Sequence, residues 1–139
     1  MSFVKENFRC ECPITSALDV LGDKWTLVII KLMLLEQKKT FKEFSESVES
    51  IAPSILSSRL KTLEKNGFTL KVNLPNNKKT NYYILTEKGL SLAPVLIELA
   101  LWSHHNIRAS DYQELINMKD KDKLQRSIVR KYKSKTVTL

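Results

Sequence analysis

The chain has 139 residues, a net charge of +8, 42% hydrophobic residues and 27% charged ones. That length suits a single domain with a modest core, and the apolar content excludes a disordered basic tail. The surplus of Lys and Arg favours a polyanionic partner, nucleic acid ahead of an acidic membrane surface.

Charges are scattered through residues 1–12 with no apolar run among them, so no secretory signal is expected. The longest apolar stretch, 92–102, is too short to span a bilayer and contains Pro94 and Glu98. Cys10 and Cys12 are too few for a secreted disulfide scaffold. A reduced, cytoplasmic protein with no membrane contact is expected.

Residues 13–21 predict a short first helix with Ala17, Leu18 and Leu21 on one side. Gly22 would supply a left-handed stop and Asp23 a cap for the next helix. Residues 24–36 predict that second helix, apolar nearly all round and therefore central. Thr40 and Glu43 have the spacing of a capping box, and Phe41, Phe44 and Val48 would form a helical stripe behind it. Residues 49–52 turn into a further helix over 53–66, with Pro53 where its missing N–H is harmless and Gly67 as the stop. Together these two helices read as a helix-turn-helix.

On the second of them, Leu56, Leu60 and Leu63 fall on one side at i, i+4 and i+7. Ser54, Ser57, Ser58, Lys61 and Lys65 share the opposite side, a face without large apolar residues. Short donors of this kind can approach base edges in a major groove while lysines meet phosphate. A solvated helix back would carry the same pattern, and the basic hairpin next in sequence favours the DNA reading. Arg59 lies beside the leucines, where a structural ion pair and a phosphate contact are equally compatible with the sequence.

Phe68, Leu70, Val72 and Leu74 alternate with polar residues, as in a half-buried strand, and 82–85 returns as its partner. Tyr83 should share the inward face with Leu85, leaving Tyr82 as the exposed wing aromatic. Asn76, Asn77, Lys78 and Lys79 fall in the turn, a basic tip suited to a minor groove or its phosphates. Thr86 would cap a long helix to about Asn106, kinked at Pro94. Its apolar circumference, with Leu92, Val95, Leu96, Leu99 and Trp102, is too large for a small protein to cover alone, so a second copy is expected against it. Residues 111–133 predict a basic helix carrying Leu115, Ile116, Leu124, Ile128 and Val129.

The expected fold is therefore mainly α with a small β-hairpin wing (α+β): a winged helix-turn-helix with flanking dimerisation helices. Residues 1–106 would form the DNA-binding and dimerisation unit, and 107–139 a basic helical extension. The sequence has no Gly-rich phosphate loop, no His-Glu-x-x-His helix and no nucleophile elbow, so neither an enzyme nor a cofactor or metal is expected. His104 and His105 are adjacent, should point to different sides, and would serve the helix dipole rather than a metal.

Taken in order, several short segments resemble the HxlR family of bacterial winged helix-turn-helix regulators, relatives of the MarR-type repressors, over about residues 10–106. They are Cys12-Pro13, Ala17-Leu18, Gly22-Asp23-Lys24-Trp25, Phe41-Lys42-Glu43-Phe44, Ile55-Leu56-Ser57-Ser58-Arg59-Leu60, Leu63-Glu64, Asn66-Gly67, Tyr83-Ile84-Leu85-Thr86 and Gly89, with Trp102 as the aromatic near the end of the long helix. The resemblance implies a cytoplasmic homodimer that binds double-stranded operator DNA, pseudo-palindromic by its symmetry, and regulates transcription of a nearby gene; a repressor is expected, and the sequence leaves activation open. One departure is Ala52, where the family often has a Ser or Thr cap, a loss of about 1 kcal/mol of local stability.

The resemblance also gives Cys12 the position that senses quinones, hypochlorite or disulfide stress in redox-responsive members. A thiolate there is favoured by a helix N-terminus and by Lys5, Arg9 and Lys24 nearby in sequence. A bridge to Cys10 would close a strained ring, so an intersubunit bridge or modification by a small electrophile is easier to build. Two other readings stay open. One is a switch by a small apolar effector, held where Trp25, Trp102 and Phe8 meet the Leu-rich faces. The other is a winged-helix module that binds RNA or protein, although RNA readers usually display several exposed aromatics.

Overall fold

Three leucines and a phenylalanine hold the helix-turn-helix in the computed structural model, which describes residues 8–110, 113, 117 and 119–136. Helix α3 (Phe41–Ser45) is opened by the capping box: the Thr40 hydroxyl accepts from the Glu43 amide, and the Glu43 carboxylate accepts from the Thr40 amide. Phe44 from α3 and Leu56, Leu60 and Leu63 from α4 (Pro53–Lys65) are buried together. Truncating such a leucine to alanine typically costs about 2–5 kcal/mol. Val48 does not extend the Phe41–Phe44 stripe. It lies past the end of α3 and is 93% exposed, because the chain has already left helical geometry at Glu46.

The centre of the protein is α2 (Thr26–Leu34), whose Ile29, Ile30, Leu32 and Met33 have no solvent exposure. It begins two residues later than the sequence pattern suggests. Asp23 caps this start, accepting from the Trp25 amide at 2.9 Å, the Thr26 amide at 3.0 Å and the Thr26 hydroxyl. Ahead of it, α1 (Pro13–Leu21) buries none of its residues within the protomer. Gly22 ends α1 in a right-handed conformation (φ −80°), not the expected left-handed one. Glycine is needed there because a Cβ would collide with the Leu18 carbonyl, which the Gly22 amide approaches to 2.7 Å. The left-handed stop is at Gly67 (φ +79°), which releases the chain from α4.

Strands β1 (Thr69–Leu74) and β2 (Asn77–Leu85) form an antiparallel hairpin in which Thr69 faces Leu85 and Lys71 faces Tyr83. That register puts Thr69 against the core and leaves Leu70 52% exposed, the reverse of the expected phase at the base of β1. The connection is also tighter than expected. Pro75 and Asn76 alone turn the chain, and Asn77, Lys78 and Lys79 already belong to β2. Residues before α3 join the sheet edge: Thr40 bridges Tyr82, and the Tyr83 amide donates to the Lys39 carbonyl at 2.7 Å. Tyr82 is half-buried rather than exposed, and Tyr83 meets Phe44 with ring centroids 6.1 Å apart.

The expected single helix over 86–106 is two helices, α5 (Glu87–Leu90) and α6 (Ala93–Asn106). Thr86 does cap the first, accepting from the Gly89 amide at 3.2 Å. Pro94 then sits in the first turn of α6 instead of kinking a continuous helix, since a proline ring clashes with the carbonyl four residues back. Helix α7 (Lys121–Thr136) forms the later part of the expected basic helix and lies on α6 and α2. Its Leu124 and Tyr132 are buried, and Ile128 and Val129 pack on the same core. The Tyr132 hydroxyl accepts from the Leu85 amide at 2.8 Å, so α7 also covers the base of β2. Leu115 and Ile116 lie outside the described residues.

Candidate nucleic-acid interface

Helix α4 turns its leucines inward, so the opposite face is set by elimination. Ser54, Ser58, Lys61 and Lys65 are exposed along it and Ser57 is half-buried. Lys61 and Lys65 make no ion pair among the described residues. Thr62 belongs to the same exposed strip, four residues after Ser58, and its hydroxyl donates to the Ser58 carbonyl at 3.1 Å. The i+4 spacing was the available signal for it. No side chain caps the start of α4, because Ala52 has the extended backbone of an N-cap without an oxygen to offer.

Arg59 is turned away from this strip: its Nε donates to Asp23 Oδ2 at 2.9 Å. Asp23 thus joins the head of α2 to the flank of α4. Burial opposes ionisation of its carboxyl, but the Thr26 hydroxyl, the two amides and Arg59 outweigh it and hold the pKa below the ordinary value of 3.8. A second tie runs from Lys31 on α2 to Glu49 in the turn before α4, with Glu36 also on Lys31 at 3.1 Å. Burial draws the Lys31 ammonium down, yet its two carboxylate partners prevail and raise its pKa above the ordinary 10.5.

On the wing, Asn76 lies in the turn and Asn77, Lys78 and Lys79 are exposed on β2. Asn73 braces the hairpin across its irregular register, donating to the Thr80 carbonyl at 2.8 Å and to Asn81 Oδ1 at 2.9 Å. Lys71 on β1 adds an exposed cation that periodicity alone did not single out.

Among the expected dimerisation residues, Val95, Leu99 and Trp102 are exposed on α6 at i, i+4 and i+7, with Trp102 59% exposed. Leu92 is instead 7% exposed in the core, because the helix restarts at Ala93, and Leu96 packs against that core. Ile14 and Leu18 on α1, exposed at i and i+4, were not foreseen as part of this surface.

Cys12 is the N-cap residue of α1 and is exposed, as is Cys10; both are free thiols. Cys12 makes no side-chain capping hydrogen bond, and the polar groups at the start of α1, the Thr15 amide and hydroxyl ahead of the Ile14 amide, lower its pKa from the ordinary 9.0. The helix start therefore does what nearby cations were expected to share in. Arg9 is paired with Asp19 and Lys24 lies over the Trp25 ring at 5.0 Å, while Lys5 lies outside the described residues. The rings of His104 and His105 do not diverge. They meet edge to face with centroids 5.0 Å apart, and His104 Nδ1 accepts from the Ser110 amide at 2.7 Å. No group of three potential metal ligands occurs among the described residues. No helix among them is long and apolar enough to cross a membrane.

A capped helix-turn-helix followed by a hairpin with lysines on it defines a winged helix-turn-helix protein. Comparison with known sequences agrees: the profile of the HxlR-like helix-turn-helix family matches residues 20–111. The chain belongs to that family and is a transcriptional regulator of the helix-turn-helix type. It is 38% identical over 93 residues to the HTH-type transcriptional regulator YodB of Bacillus subtilis, a match covering 66% of this chain and 82% of YodB. The reduced form of YodB superposes with a TM-score of 0.58 at 35% identity, covering 73% of this chain and all of that one. YodB is also known in a quinone-bound form (TM-score 0.56, 35% identity, 68% and 99% covered). The redox regulator HypR in its reduced form has a TM-score of 0.58 at 28% identity, covering 68% of this chain and 93% of its own.

Proposed function

We propose that the protein acts in the cytoplasm as a homodimeric repressor that binds a pseudo-palindromic operator, with α4 in the major groove. The observation that carries this reading is the outward face of α4, where Ser54, Ser58, Lys61 and Lys65 stand exposed and the lysines make no ion pair among the described residues. Ser57 sits at the edge of that face, and Arg59 positions the helix through Asp23. Asn76, Asn77, Lys78 and Lys79 on the wing reach the neighbouring minor groove or its phosphates.

Dimerisation is supported by two exposed apolar strips, Ile14 and Leu18 on α1 and Val95, Leu99 and Trp102 on α6. Leu92 and Leu96 support the second strip from behind. A two-fold pair would present the α4 helices to successive major grooves roughly 34 Å apart. RNA is the weaker partner, since both wing tyrosines are half-buried and Tyr83 packs on Phe44, whereas RNA readers usually display exposed aromatics.

Cys12 is the proposed sensor of small electrophiles such as quinones, through an exposed thiol of lowered pKa at a helix N-cap. Quinone binding by YodB supports that chemistry. The test combines selection of duplexes from a random pool with light scattering of wild type and Trp102→Glu. Expected are an inverted repeat, a two-chain mass, and loss of both mass and affinity in the variant. A one-chain mass with no duplex affinity in the wild type would overturn the reading.

A further inference from the structure

Helices α2, α6 and α7 enclose a cavity of about 700 Å³, open on one side. Its walls are aliphatic, with Leu27, Leu35, Leu96, Ile97, Leu124 and Ile128 among them. The volume lies within the roughly 300–1,000 Å³ of small-molecule sites. Trp25, Trp102 and Phe8, where an effector was expected from sequence, take no part in the lining. The third wall comes from α7, beyond the residues matched to the family.

Lys31 and Lys131 line the cavity, and among the described residues no Asp or Glu does. Lys131 is exposed and makes no ion pair among the described residues. Lys31 is already bound to Glu36 and Glu49, outside the lining. An aliphatic body gains by leaving water for these walls, and a single anionic head is matched by Lys131. We propose that this cavity binds an aliphatic carboxylate, a medium-chain fatty acid or a molecule of that shape, with its chain between α2 and α7 and its carboxylate at Lys131.

Such a ligand would also act on α4. A second carboxylate oxygen within reach of Lys31 competes with Glu49 for the same ammonium, and Glu49 lies in the turn that leads into α4. Ligand binding therefore loosens the entry to that helix. This consequence rests on the DNA reading above; the binding itself does not.

Calorimetry of the full chain with decanoate, set against 1-decanol, tests the site. Expected are one decanoate per chain and 1-decanol at least about tenfold weaker. Lys131→Met should weaken decanoate by about tenfold and leave 1-decanol unchanged, and because Lys131 is exposed this variant keeps its fold. Ile128→Trp, which fills the cavity, should abolish both if circular dichroism shows it folded. Absence of binding, equal affinity for acid and alcohol, or full decanoate affinity in folded Ile128→Trp would each overturn the site. So would loss of the dimer in that variant, since a second copy would then be the occupant. Saturating decanoate should lower operator affinity at least about tenfold in wild type. An unchanged affinity overturns the coupling, whereas ligand-free protein that binds no duplex counts against the DNA reading and leaves the calorimetric result standing.

Discussion

Arg59 on α4 donates to Asp23 at the head of α2 across 2.9 Å, and the same carboxylate caps α2 with two backbone amides. One side chain thus serves a helix start and a helix-helix tie, and magnitudes decide which matters more. A lost N-cap typically costs about 1 kcal/mol, while a partly exposed ion pair contributes about 0–1 kcal/mol. Asp23→Ala should therefore destabilise the protein by about 1–2 kcal/mol and Arg59→Ala by less, as read from urea midpoints.

The pH dependence of that tie has a definite sign. Asp23 and Glu49 both titrate below their ordinary 3.8 and 4.5, because hydrogen bonds and cationic partners outweigh burial. Their contribution is complete above those values and disappears as pH falls through the lower, folded-state values. Melting temperatures of wild type and Asp23→Asn should converge as the pH is lowered through that window and stay apart near neutrality. A constant difference would mean that Asp23 acts through shape alone.

Thr69 is buried at the base of β1 with its hydroxyl oxygen unpaired among the described residues. An unsatisfied buried hydroxyl costs about 1–3 kcal/mol, and valine has nearly the same shape. Thr69→Val should raise stability by about 1 kcal/mol in denaturant unfolding without altering duplex affinity.

The sequence made α4 legible and left Thr69 obscure, for one physical reason. Leu56, Leu60 and Leu63 repeat with the helical period, and a helix buries what its period aligns. In a two-strand hairpin only the base meets the core, so Leu70 can alternate correctly and still stand 52% exposed. The capping box of Thr40 and Glu43 was legible because its spacing has one geometric meaning. Pro94 has two, a kink within a helix or the first turn of a new one, and only packing of Leu92 into the core selects the second. Asp23–Arg59 joins positions 36 apart in sequence, a separation that no local pattern reports. The apolar strip on α1 was hidden in the same way. Ile14 and Leu18 look like core until the fold leaves them 73% and 55% exposed.

Ala52 offers a gain in stability. Its backbone is already that of an N-cap, with φ −60° and ψ 137°, and it lacks only the acceptor. Ala52→Ser should stabilise the protein by about 0.5–1 kcal/mol. A fall in stability would show that the serine oxygen does not reach the amides at the start of α4.

The wing prediction concerns salt. Each lysine that neutralises a phosphate releases counterions, so the slope of log affinity against log salt changes by about 0.9 per contact. Lys78→Ala combined with Lys79→Ala should flatten that slope by up to about 2, with the fold unaffected because both side chains are exposed. An unchanged slope removes the wing from the contact surface.

Cys12 carries the redox part of the proposal, and its chemistry can be isolated from DNA. In a Cys10→Ser protein, Cys12 is the single thiol, and its alkylation rate should rise with pH about a midpoint below the ordinary 9.0. Among the described residues the cause is the Thr15 amide and hydroxyl at the start of α1, with Arg9 held by Asp19. Thr15→Val removes the hydroxyl and keeps the amide, so the midpoint should move upward part of the way. The thiolate, not the thiol, is the form that adds to a quinone. Diamide or quinone should therefore release duplex from wild type and from Cys10→Ser but not from Cys12→Ser. Equal responses in all three proteins would remove Cys12 as the sensor and leave the cavity between α2, α6 and α7 as the remaining switch.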